Sequence, residues 1–300
     1  MAWLTTLPWG QLLLNGIALG SLYALTAFGI VLIYKTTDVL TFGQGELAMF
    51  SAFIAFTLLD RLRLPFPVAF VLTLVFALAL GALVERVLMR RAQQGSILNP
   101  IIVTIGLALV LVGTAGFIWG YEVRPFPDPV TGPPFLFRVS PTQNLVLTQL
   151  SAVILAVTLV LMLLLFAFFR FSLVGIAMRA VAQNRVAARL MGIPVDRINA
   201  LGWGVGAALG AVTGMLIAPT NSLFPNMMGD VAIKAYAGAV LGGITSLPGA
   251  VVGGLLLGII DSVAGFQAPE LRTTIAFTLL VVVLVIRPAG LLGRREIKKV

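Results

Sequence analysis

The side chains that run most enzyme chemistry are missing or scattered in this chain. Among its 300 residues there is no cysteine and no histidine. Their absence excludes disulfides, Cys/His zinc sites, haem ligation by histidine, and any Ser-His-Asp or Cys-His nucleophilic unit. The eleven Asp and Glu form no evident carboxylate pair or metal cluster, so no catalytic residues, metal site or cofactor is expected. ATP chemistry has no foothold either. No Gly-x-x-x-x-Gly-Lys-Ser/Thr occurs, and none of the four lysines follows a glycine. The chain therefore has no Walker A cradle for a nucleotide's phosphates.

What remains is a handful of charges inside apolar sequence. Each costs roughly 2.5–3.5 kcal/mol at the centre of a membrane helix on insertion scales, so each needs a reason. Glu46 ends Gly43-Gln44-Gly45-Glu46. The two glycines weaken helix there, and a broken or re-entrant backbone is tolerated only where protein or a water-filled cavity surrounds it. Two readings stand for Glu46: gating or lining a translocation path, or structural hydrogen bonding to nearby backbone. Its neighbour Gln44 is expected near that path. Asp230 and Lys234 are four apart and read as a partly solvated pair at a span end. Asp261 is expected near an outer interface, in contact with water.

A second group of charges is basic and lies outside the apolar runs. Residues 170–197 carry five arginines and many alanines, with no proline before Pro194. The residue types favour helix, Gly192 is placed to cap its C-terminus, and Pro194 prevents continuation. The product is a short helix with a basic face of Arg179, Arg185 and Arg189. It serves either as an interfacial helix on anionic lipid or as a docking helix for a partner.

These residues have to be positioned by membrane helices. The chain is 59% hydrophobic and only 10% charged, a composition of the membrane class. The fold class expected is all-α, a polytopic bundle of about 8–10 transmembrane helices in one domain. Uncharged runs mark spans at about 11–33, 66–84, 97–119, 146–169, 199–219, 235–247, 249–260 and 273–286. Another, about 40–59, contains only Glu46. Between 229 and 268 the pattern is ambiguous, because Ser246-Leu247-Pro248-Gly249 interrupts it. It gives two short spans or one broken helix. Nine crossings put fourteen of the twenty Lys and Arg in the loops of one side. Arg61, Arg63, Arg124, Arg138 and Arg272 fall on the other, and Lys234 sits at a span end. The positive-inside rule then places the N-terminus outside and the C-terminus in the cytoplasm. The net charge of +9 is explained by those loops, not by nucleic acid. The Pro-rich stretch 120–145 reads as an outside loop with little regular structure.

Gly202, Gly206, Gly210 and Gly214 recur every four residues, which makes a flat helix-packing face. The segments near 43–53 and 229–239 resemble each other faintly and lie on opposite sides in this topology. That is the arrangement of an inverted-repeat transporter with broken helices near its path.

Three motifs resemble a known family. Ala187-Ala188, followed by three residues and Gly192, resembles the EAA loop of ABC importer permeases, with Val186 where that motif has Glu. The wider stretch from Arg179 to Ile193 looks like the corresponding loop of branched-chain amino acid permeases. Asn15-Gly-Ile-Ala-Leu-Gly-Ser-Leu-Tyr-Ala-Leu and Leu40-Thr-Phe-Gly-Gln-Gly-Glu-Leu-Ala-Met look like the N-terminal motifs of the LivH type. The resemblance spans about 11–290. It implies a permease subunit of a bacterial plasma-membrane ABC importer for branched-chain or related amino acids. The implied partners are a second permease (sister or self), two cytoplasmic ATPases and an extracytoplasmic solute-binding protein, all in membrane lipid. It also implies that Arg179, Asn184, Arg185, Ala187, Ala188, Gly192 and Pro194 couple the chain to the ATPase. The rival readings are a stand-alone ion-coupled transporter, a passive channel or scaffold, and a permease of the same type for urea or amides.

Overall fold

The computed structural model describes residues 9–96, 98–140 and 143–293. The N-terminus itself and the C-terminal basic residues Arg294, Arg295, Lys298 and Lys299, placed on opposite sides above, lie outside the described residues.

In chain order the helices are α1 (Trp9–Thr37), α2 (Gln44–Asp60), α3 (Phe66–Val84), α4 (Arg90–Ala92), α5 (Leu98–Trp119), α6 (Gln149–Phe171), α7 (Leu173–Gln183), α8 (Arg185–Leu190), α9 (Val195–Asn221), α10 (Gly229–Gly242), α11 (Leu247–Gln267) and α12 (Arg272–Ile286). A π-helical turn, Glu85–Met89, joins α3 to α4 in one continuous rod. Among the described residues, seven helical stretches are long and apolar enough to cross a membrane: α1, α3–α4, α5, α6, α9, α11 and α12 with its leading turn. The protein is thus a polytopic helical membrane bundle. α1 and α9 form its buried centre, whereas α6 and α12 bare most of their apolar surface, as helices facing lipid or another subunit do.

Small residues let the central helices touch. A Cβ added at Gly258 of α11 would stand 2.1 Å from Gly20 Cα of α1, and one at Gly253 would stand 2.0 Å from the Gly238 carbonyl oxygen of α10. In lipid this close approach is a main source of helix association. The four-residue glycine row of α9 runs past Thr36 at Gly202, Ile33 at Gly206, Gln44 and Ala48 at Gly210, and Ala48 again at Gly214.

Two helices are short. α2 has 17 residues and α10 has 14, roughly 25 and 21 Å at 1.5 Å per residue, against a hydrocarbon core of about 30 Å. Both start inside the bundle. Asp38, at φ 52°, turns the chain out of α1, and residues 39–43 climb back in until Gln44 meets Gly206 in the middle of α9. Likewise Ser222, at φ 63°, ends α9, and residues 223–228 lead inward to α10. The two N-termini meet: a Cβ on Gly45 would be 2.8 Å from the Ala232 Cβ. The faint likeness of 43–53 and 229–239 therefore corresponds to two half-helices that point at each other from opposite ends.

The bundle has two distinct ends. At one, an antiparallel hairpin of β1 (Phe135–Ser140) and β2 (Gln143–Leu147) is held to α1, with Gln11 donating to the Val146 carbonyl (2.9 Å) and accepting from its N–H (2.8 Å). At the other, the basic end, Lys35 donates to the Thr245 carbonyl at 2.8 Å.

Several expectations need correction. The 120–145 region contains most of a hairpin, because the apolar, β-prone residues of β1 and β2 can pair with each other. The 235–247 and 249–260 spans are really a half-helix and a full-length one. Gly243, at φ 107°, closes α10, and Ser246 starts α11 by accepting from the Gly249 N–H at 3.1 Å, with Pro248 in its first turn. The stretch between the expected spans 66–84 and 97–119 is helical up to Ala92.

Candidate functional site

At the basic end, residues 172–194 fold as two capped helices where one was expected. Ser172 starts α7 by accepting from the Gly175 N–H at 2.9 Å. Asn184, extended at φ −157°, ends α7, and its Oδ1 accepts from the Ala187 N–H at 2.9 Å to start α8. One residue thus makes the corner, a role that suits the short side-chain acceptor of Asn. Gly192 takes φ 82°, the left-handed conformation that glycine adopts most easily. Pro194 then leads into α9.

Burial divides this segment sharply. Ala188 packs with Met178 and Val181 of α7 and with Val195 and Ile198 of α9. Ala187 is exposed, as is Arg179, and Val186, Leu190 and Met191 are 71, 83 and 82% exposed. Ala188 therefore fixes the segment, and its neighbours present an apolar face outward. Arg185 reaches Asp38 at 3.0 Å, and Arg189 and Arg90 both approach Asp196, at 3.6 and 3.9 Å. Exposed pairs of this kind add little stability. Their importance is geometric, because Asp38 opens the re-entrant stretch that ends at Gln44.

Inside the bundle, Gln44 and Glu46 take different positions despite being two residues apart. Gln44 is fully buried and donates to the Gly206 carbonyl at 2.8 Å, wedged between the glycines of α1 and α9. A short glycine-lined slot encloses its side chain. Glu46 is half-buried, and its Oε2 lacks a hydrogen-bond partner among the described residues, as does the Tyr236 hydroxyl. Phe42 stacks on Tyr236 with ring centroids 5.5 Å apart. Neither α2 nor α10 has a side-chain N-cap, so two helix N-termini, the positive ends of their dipoles, converge uncapped near this cluster.

Sequence reasoning missed a third group. Asp261 is completely buried, not wet. It accepts from Tyr23 (2.8 Å), pairs with Lys234 (3.1 Å) and receives two bonds from the Arg272 guanidinium. Lys234, 2% exposed, also holds Asp230 at 2.8 Å, and only Asp230 of that pair is solvated. The pairing along α10 was visible as an i, i+4 spacing. The pairing to α11 and α12 was not, although Lys234, Asp261 and Arg272 all sit in apolar sequence and had to find one another. A cavity of about 350 Å³ opens beside this cluster towards the hairpin end.

The family model described as branched-chain amino acid transport system, permease component, matches residues 12–285. The high-affinity branched-chain amino acid transport system permease protein LivH of Escherichia coli K12 is 35% identical over 97% of this chain and 97% of its own length. BraD, of the same description, from Pseudomonas aeruginosa is 36% identical with the same coverage. Among solved structures, PsaBC from Streptococcus pneumoniae in complex with Fab aligns with a TM-score of 0.49 and 15% identity over 95% of this chain and 92% of that one, a likeness too slight to carry an argument.

Proposed function

The chain belongs to the branched-chain amino acid transport system permease family, and from that premise we propose that it is the transmembrane permease subunit of an ABC importer. It moves branched-chain amino acids across the plasma membrane while a separate subunit hydrolyses ATP. The observation that carries this reading is the α7–α8 pair: capped at each end, outside any span, anchored by buried Ala188, and presenting bare Val186, Leu190 and Met191. An apolar face of this size on a short exposed helix is suited to burial against a partner.

The coupling route follows from the contacts. ATPase closure pushes α8, Arg185 carries the displacement to Asp38, and residues 39–43 pass it to the start of α2. There α2 meets α10, so the half-helix junction is the element that opens and closes. Glu46, Tyr236 and Phe42 line the path, and Gln44 holds α2 to α9. Arg179, Asn184, Arg185, Ala187, Ala188, Gly192 and Pro194 serve the docking segment: Asn184, Ala188, Gly192 and Pro194 by shaping it, Ala187 by facing outward. The basic end faces the cytoplasm and the hairpin end faces outward, where a solute-binding protein delivers cargo. A second permease, sister or self, covers the apolar rim, and two ATPases sit beneath.

The test is co-purification of the complex from native membranes. Leu190→Asp, which leaves the buried Ala188 contacts alone, is expected to lose the Walker-motif ATPase subunit that wild type retains, with unchanged insertion. Retention of that subunit by Leu190→Asp and by Leu190→Asp/Met191→Asp alike would remove the docking role from α8.

A further inference from the structure

We propose that the cavity at the hairpin end is a loading site for the cargo amino acid, in which Arg272 takes the cargo's carboxylate. The proposal rests on the import reading and adds where, and by what charge, the substrate is recognised. The cavity, about 350 Å³, lies between α1, α6, α9 and α11, within the roughly 300–1,000 Å³ of small-molecule sites. Leu22, Ile154 and Ile217 give it an apolar wall, Asn15 and Asn221 a polar one, and Asp261 with Arg272 a charged floor.

The two cations on Asp261 are not equivalent. Lys234 is 2% exposed and enclosed, whereas Arg272 is 39% exposed at the cavity. When Arg272 turns to another carboxylate, Asp261 keeps Lys234 and the Tyr23 hydroxyl, so no buried charge is stranded. A guanidinium also matches a carboxylate in two-pronged geometry, as it does with Asp261 itself. A zwitterion completes the exchange, because its ammonium occupies the side of Asp261 that Arg272 vacates. The site therefore selects an α-amino acid with an apolar side chain. Urea and simple amides bring neither charge.

Saturation-transfer NMR on the full chain in lipid nanodiscs tests this, with leucine and leucinamide, which lacks the carboxylate, as probes. Wild type is expected to bind leucine about tenfold or more tightly than leucinamide. Arg272→Gln removes that preference, and Arg272→Lys restores part of it. If Arg272→Gln, with unchanged elution and melting, still prefers leucine, the proposal is wrong. It is equally wrong if Arg272→Gln weakens both probes alike, which marks a purely structural role. Absent binding of leucine to wild type, with ATP-driven leucine uptake by the whole complex intact, overturns this site alone. Loss of that uptake overturns the import reading with it.

Discussion

Asp261 gathers more of the bundle than any single contact along a helix would indicate. Its carboxylate joins α1 through Tyr23, α10 through Lys234 and α12 through Arg272. A buried charge that loses its partner costs about 3–5 kcal/mol, so Asp261→Asn is expected to lower the apparent melting temperature of the purified protein. Coupling is the sharper readout. Lys234→Met should cost less in the Asp261→Asn background than in wild type, since residues in one network are not additive. Equal costs in both backgrounds would show that the two do not act together. None of this was legible from spacing, because Tyr23 and Asp261 are 238 residues apart. By contrast, the chemistry the chain lacks could be read at once from its missing histidine and cysteine.

At the scale of elements, the long apolar helices and their glycine faces were legible because both depend on local residue type. The half-helices were only partly so. Gly43 and Gly45 flagged a break, and the α10 region was misplaced by several residues, since Asp230 and Lys234 look like the end of a span until buried Asp261 is seen to pair with Lys234. The corner at Asn184 escaped notice because its neighbours all favour helix and only the cap geometry reveals the stop. Close packing of α1 on α11 predicts a specific sensitivity. Gly258→Leu places a side chain where Gly20 Cα lies 2.1 Å from the new Cβ, and should destabilise by about 3 kcal/mol. Gly113→Leu, where a Cβ meets nothing within 4 Å, should be near neutral. Comparable melting of the two variants would contradict the packing described.

For the whole molecule, the proposed orientation rests on loop charge, and the cysteine-free sequence makes it testable without background. Ser96→Cys at the basic end and Tyr121→Cys at the hairpin end are both exposed positions. In intact cells a membrane-impermeant maleimide should label only Tyr121→Cys, and permeabilisation should expose Ser96→Cys. The reverse pattern would invert the topology and place α8 away from any cytoplasmic ATPase. The helical membrane bundle was legible at this scale, since composition is a sum over many residues and tolerates local error.

The most direct test of the account is radiolabelled leucine uptake into proteoliposomes holding the native complex with its solute-binding protein. Uptake should require ATP on the side of the basic end, persist when ion gradients are collapsed, and fail when the chain is reconstituted alone. Uptake by the chain alone, driven by an ion gradient and indifferent to ATP, would contradict the account and make the protein a secondary transporter.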